Sequence, residues 1–167
     1  MALNVSRITD YLFISTRLRE EDLEAIRELD VRLIVGMIAS QPPPRRLAEL
    51  EIDILWLGTF DFFLFPIPLA TLHRGVDAAL PVIHEGHQVL VYCQAGRHRS
   101  VAMAAAILIA MGHTADSAMD LIVEKREIAD PGAWHIKRQI RRFEKYWRQR
   151  QNLEESKADV QTGAGDR

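Results

Sequence analysis

Cys93 is the only cysteine in the chain, and it sits in the segment Val89-Leu90-Val91-Tyr92-Cys93-Gln94-Ala95-Gly96-Arg97-His98-Arg99-Ser100. An apolar run leads into a short polar loop there, and an Ala-rich helical run follows. A strand that passes through a tight loop into a helix N-terminus aims successive backbone N–H groups into one concavity, and the helix dipole makes that concavity an anion site. Gly96 permits the tight path. Arg99 can hold two oxygens of a phosphate in a planar fork, which lysine cannot do. The same dipoles and cations favour the thiolate of a cysteine at the mouth of the site. The chemistry within reach is nucleophilic attack by sulfur on a phosphate bound directly above it.

The elements that must position these residues follow from the pattern. Residues 11–15, 31–38, 52–57 and 88–92 read as strands. Residues 21–29 carry Leu23, Ile26 and Leu29 on one helical face, and 69–84 are helical with an interruption or kink expected near Pro81. Three further helices come without a strand between them: 100–111; 115–126, capped by Thr114; and 134–150, capped by Asp130 with Pro131 in its first turn. Strands alternating with helices, then a helical C-terminal part, indicate an α/β fold with a central, largely parallel sheet of four to five strands flanked by helices. Residues 1–150 read as one domain, and the polar stretch 151–167 reads as a disordered tail.

Within that frame the chain resembles the cysteine-dependent protein tyrosine phosphatase superfamily, whose signature is Cys-x5-Arg-Ser/Thr, and within it the small dual-specificity phosphatases. Cys93, Gly96, Arg99 and Ser100 match the signature in the strand–loop–helix context it requires. Asp10-Tyr11-Leu12-Phe13-Ile14-Ser15 is similar to the first strand of the family. Asp61 lies where the family keeps its general acid, 32 residues before Cys93. Asp53 and Asp77 are the rival acids, one at the start of a strand and the other in a helix. The chain departs from the family at Tyr92, which replaces the usual histidine and can still donate a hydrogen bond. Arg97 stands where the inositide-directed branch often keeps a basic residue. Arg97 and His98 are read either as cations for a highly anionic substrate or as exposed loop residues.

The resemblance implies a phosphomonoester hydrolase, of the protein tyrosine or dual-specificity kind, acting through a cysteinyl-phosphate. Cys93 is the expected nucleophile and Asp61 the acid. Ser100 is the expected hydrogen-bond partner of the departing thiolate, and Gln94, Ala95, Gly96, Arg97, His98 and Arg99 form the phosphate cradle. No metal and no cofactor are implied. The expected partner is a phosphorylated protein or another phosphomonoester, with phosphoinositide and RNA 5′-phosphate as alternative substrates on the same scaffold. A non-catalytic phosphate-binding module and a sulfurtransferase are the rivals. The Arg-Ser ending of the loop and Asp61 speak against the sulfurtransferase.

Other features weigh less. A formal charge of −2 gives no global pull toward nucleic acid, and none is expected as a partner. The longest apolar run, residues 101–111, is too short to span a bilayer, and the first ten residues contain no signal-type apolar segment. A cytoplasmic location is expected. His84-Glu85-Gly86-His87 is not the helical His-Glu-x-x-His metal motif, because Gly86 breaks the helix that would align the ligands. In the last helix Ile136, Ile140, Phe143 and Trp147 follow helical spacing inward, and seven cations are left on the outer face. Residues 62–65, Phe-Phe-Leu-Phe, are core, an aromatic lip for a phosphotyrosine ring, or an interface.

Overall fold

The computed structural model describes residues 3–163. Five strands form one sheet in the order β1 (Val5–Arg7), β2 (Leu12–Ser15), β5 (Gln88–Tyr92), β3 (Val31–Ile38) and β4 (Asp53–Thr59). β1 pairs antiparallel with β2, and the other neighbours are parallel. The expected α/β architecture is therefore present. β1 has no counterpart in the sequence reading, because three residues offer too little alternation to register as a strand.

Burial explains the order. β3 and β5 are nearly continuous apolar runs, as strands covered on both faces must be, and they occupy the middle of the sheet. β4 is an edge strand with Ile54 and Trp56 exposed. β3 carries Gly36 directly beside Tyr92 of β5. A Cβ there would lie 2.6 Å from the Tyr92 hydroxyl, so this position has room only for glycine under the tyrosine ring.

Helix α3 (Arg99–Ala110) is buried along almost its entire length and packs against β2, β3 and β5 on one side. On its other sides it meets α2 (Leu69–His84), α4 (Ala115–Lys125) and α5 (Trp134–Gly163). Its alanines let these helices approach closely. A helix apolar all round belongs in a core, and this one is the core's axis. α1 (Leu23–Glu28) is short, preceded by a 3-10 turn at Glu20–Asp22, and buries Leu23 and Ile26. A second 3-10 turn, Arg45–Glu49, buries Leu47 and was not anticipated.

Three details correct the sequence reading. α2 runs through Pro81 to His84 without interruption. Pro81 is exposed in the last turn, where solvent can satisfy the carbonyl it leaves unpaired. Asp130 does not cap α5 directly: its carboxylate accepts from the Ala133 amide at 3.0 Å in a turn that precedes Trp134, and Pro131 lies in that turn. The final helix does not stop at Arg150 but continues to Gly163. Residues 151–163 lack proline and contain no glycine before Gly163, and an Arg150–Glu154 pair at 2.9 Å links the two parts of the helix. Residues 164–167, the end of the expected tail, lie outside the described residues. Thr114 caps α4 as expected, accepting from the Ser117 amide. Ile136, Ile140, Phe143 and Trp147 are all buried. No helix among the described residues is long and apolar enough to cross a membrane.

Candidate active site

The C-terminal ends of β3, β4 and β5 and the N-terminus of α3 meet at one place. β5 delivers Cys93 there, and residues 93–98 connect it to α3. Gly96 takes φ +60°, a conformation that L side chains rarely adopt. A Cβ at Gly96 would also run into the Arg126 guanidinium and lie 2.8 Å from the Ser15 carbonyl. Glycine is needed here for both reasons.

Cys93 lies at the floor of the loop, 1% exposed, with its sulfur 3.1 Å from the Ser100 hydroxyl. Around it, no backbone amide of residues 94–99 donates a hydrogen bond to another protein group among the described residues. Six successive amides without a protein acceptor, starting next to the sulfur and ending at a helix N-terminus, are donors left available for an anion.

Arg99 is buried at the edge of that seat. Its Nη1 donates to the Met37 carbonyl at 3.1 Å and to the Thr59 carbonyl at 2.9 Å, which are the outgoing ends of β3 and β4. The sheet thus holds one nitrogen of the fork, and Nε has no hydrogen-bond partner. Asp61 follows β4 by two residues, and its carboxylate reaches within 3.8 Å of that Nε. The rival acids are elsewhere. Asp53 opens β4 at the far end of the strand, and Asp77 pairs with His73 on α2.

Arg97 and His98 are neither free cations nor idle loop residues. His98 Nδ1 lies 3.2 Å from Asp61 and its Nε2 lies 3.6 Å from Asp130. Arg97 pairs with Asp130 at 3.2 Å. Burial works against the charge on Asp130, but the Arg97 guanidinium, the Ala133 amide and His98 together hold its carboxyl below the ordinary carboxylate range. Through His98 the phosphate loop meets the acid-bearing loop, and through Arg97 it holds the turn before α5, where the Asp130 amide also donates to the Arg97 carbonyl at 3.0 Å. Tyr92 stands behind Cys93 with its ring over Gly36, and burial pushes its phenol up to about 12.

Two residues of this arrangement escaped the sequence reading. Arg126, at the end of α4, is buried and donates from Nε to the Gly96 carbonyl at 2.7 Å, from Nη1 to the Ser6 hydroxyl at 3.0 Å and from Nη2 to Asn4 at 2.9 Å. One guanidinium therefore ties the phosphate loop to the N-terminal strand. His135, in the first turn of α5, stacks edge-on to His98 with ring centroids 5.4 Å apart. Nothing in the local sequence separates either residue from the surface cations and histidines around it. Ligand atoms of Asp61, His98 and His135 lie within 4.8 Å of one another, close enough to share a cation. A cation held there would occupy the Asp61 carboxylate.

The wider molecule agrees with the site. No family model matches the chain. It is 29% identical over 134 residues to the mouse protein named Dual specificity phosphatase 28, covering 77% of this chain and 78% of that protein. It is 46% identical over 61 residues, 36% of this chain and 31% of the relative, to rat Phosphatidylglycerophosphatase and protein-tyrosine phosphatase 1. The crystal structure of a mouse dual specificity phosphatase complexed with zinc tungstate superposes with a TM-score of 0.78 at 26% identity, over 87% of this chain and 89% of that one. The Cys-x5-Arg loop formed at the strand–helix junction and the fold along nearly all of the chain are those of the small atypical dual-specificity phosphatases of the cysteine-dependent protein tyrosine phosphatase superfamily, which the chain resembles in both sequence and structure.

Proposed function

We propose that the Cys93 thiolate attacks phosphorus while the P–O bond to the leaving group breaks and Asp61 gives its proton to that oxygen. The amides of residues 94–99 and the unpaired edge of Arg99 hold the equatorial oxygens and offset the charge that grows on them. In the second step water attacks the cysteinyl-phosphate, Asp61 takes the water's proton, and the P–S bond breaks. Ser100, 3.1 Å away, donates its hydroxyl hydrogen to the departing thiolate. The observation that carries this reading is the run of amides without protein acceptors that joins a buried sulfur to a helix N-terminus. No step uses a metal ion.

The substrates are phosphorylated proteins, and phosphotyrosine is favoured by the phenylalanines beside the loop. A lipid phosphomonoester is the second reading, supported by the stretch shared with the phosphatidylglycerophosphatase relative. The test is release of inorganic phosphate from an aryl phosphate in the presence of EDTA, by the native chain and by Cys93→Ser. Turnover that disappears in Cys93→Ser while vanadate still binds supports covalent catalysis by this thiol. A native chain that binds phosphate without releasing any is a binding module, and sulfur transfer from thiosulfate identifies a sulfurtransferase. Comparison of kcat/KM over phosphotyrosine, phosphoserine, phosphoinositide and RNA 5′-phosphate substrates then ranks the classes.

A further inference from the structure

Beside the catalytic loop, residues 60–65 expose almost everything that a soluble protein hides. Phe60, Phe62, Phe63, Leu64 and Phe65 are between 46 and 64% exposed, and Trp134 at the start of α5 is 61% exposed. They form one patch: ring centroids are 6.0 Å apart for Phe60–Phe65, 4.8 Å for Phe62–Phe63 and 6.2 Å for Phe63–Trp134. Contiguous exposed apolar surface of this kind marks an interaction site.

The shape and the surrounding charges narrow the partner. The Phe65 amide donates to the Phe62 carbonyl at 3.0 Å, so Phe63 and Leu64 are the corner residues of a turn. Such corners are ordinarily Gly, Asn, Asp, Ser or Pro. An apolar tip that projects outward is not a groove into which a peptide could fit. It is buried by a medium that yields around it. On α5, Lys137 and Arg138 follow Trp134 by three and four residues, so helical spacing sets them on the same face one turn along. Both are exposed, and neither side chain holds a hydrogen bond or ion pair among the described residues. The acids nearest the patch are engaged already, Asp61 with His98 and Asp130 with Arg97. Aromatic and aliphatic tips flanked by unpaired cations match the interfacial zone of an anionic lipid bilayer, where rings enter the headgroup layer and cations meet lipid phosphates and carboxylates.

We infer that this rim docks the enzyme on anionic membrane surfaces. Asp61, Arg97 and His98 line the same cleft as Phe62, Phe63 and Trp134, so a chain docked by its rim opens its catalytic loop toward the bilayer. The inference goes beyond the proposed reaction and is tested without turnover.

The Cys93→Ser chain is sedimented with phosphatidylcholine vesicles and with mixed phosphatidylcholine–phosphatidylserine vesicles at rising salt. Preferential co-sedimentation with the mixed vesicles, weakening as salt screens the cations, is the expected result. Leu64→Glu lowers the partition coefficient by about tenfold, the equivalent of one lost buried leucine. Arg138→Ala lowers it roughly fivefold. In the Cys93-containing chain Leu64→Glu leaves hydrolysis of a soluble aryl phosphate unchanged. Failure of the Cys93→Ser chain to bind mixed vesicles, or undiminished binding when Leu64→Glu is added to it, overturns the inference. So does a Leu64→Glu defect confined to kcat/KM on a soluble phosphotyrosine peptide, which would make the tip a peptide-docking element. Inactivity of the Cys93-containing chain with vesicle binding intact would sink the proposed reaction and leave the docking surface standing.

Discussion

Replacing Arg126 with methionine removes a side chain that joins the phosphate loop to the N-terminal strand while keeping most of its aliphatic bulk. The Gly96 carbonyl loses a charged donor at 2.7 Å and is left buried without a partner, a cost of about 1–3 kcal/mol. The contacts to Ser6 and Asn4, at 3.0 and 2.9 Å, are part-buried, and losing them adds about 1–2 kcal/mol in total. Against this, burial of the guanidinium is itself unfavourable and pulls its pKa down. The net destabilisation is then about 2–4 kcal/mol, and for a chain of this size that lowers Tm by about 4–16 °C. Activity falls for a different reason. Gly96 sits at +60° between amides that cradle the phosphate, and one misplaced donor of this type costs about 10²–10³ in kcat. Measured well below the variant's own Tm, kcat/KM on an aryl phosphate falls by at least about tenfold, and vanadate affinity falls with it. Arg126→Lys, which can still reach one carbonyl, lies between. A lowered Tm with kcat/KM and vanadate affinity both at native values would refute the argument, because Arg126 would then only anchor the N-terminal strand.

Asp61→Asn lowers kcat on phosphotyrosine or an alkyl phosphate by about 10²–10⁴ and on an activated nitrophenyl phosphate by much less, since only poor leaving groups need the proton; equal losses on both would remove Asp61 from the acid's role. Tyr92, pushed up to about 12 by burial, gives a pH dependence of known sign. The fold favours the neutral phenol, so its contribution is whole below pH 10 and is lost as pH rises through about 12, roughly 2–3 kcal/mol in all. Tyr92→Phe therefore flattens the alkaline decline in the denaturation midpoint, and an unchanged decline would contradict the assignment. Gly36→Ala places a Cβ 2.6 Å from the Tyr92 hydroxyl and destabilises by about 1–3 kcal/mol. Tyr92→Leu in the same chain relieves most of that loss, and simple additivity of the two would show that they do not touch.

The local sequence determined what local physics controls. The apolar runs of β3 and β5, the helical spacing of α2 and the Thr114 cap each follow from neighbours within a few residues, and their positions are legible at once. The Cys93–Ser100 segment is legible for the same reason: strand, loop, glycine and helix start are contiguous. Residues 151–163 show the limit of that logic, because a polar helix held by its own charge pairs has no apolar stripe to announce it.

Tertiary structure decided which distant groups complete the site. Asp61 meets Arg99 only because β4 and β5 end on the same edge of a parallel sheet with β3 between them. The second anchor of Arg99 is a pair of backbone carbonyls on β3 and β4, which every residue possesses and no sequence pattern can mark. Arg126 reaches Gly96 across 30 residues and Asn4 across 122. The phenylalanines of residues 60–65 were equally consistent with core, lip or interface, because hydrophobicity reports a preference for burial and not what does the burying. In the folded chain they stay exposed, on a turn between β4 and α2.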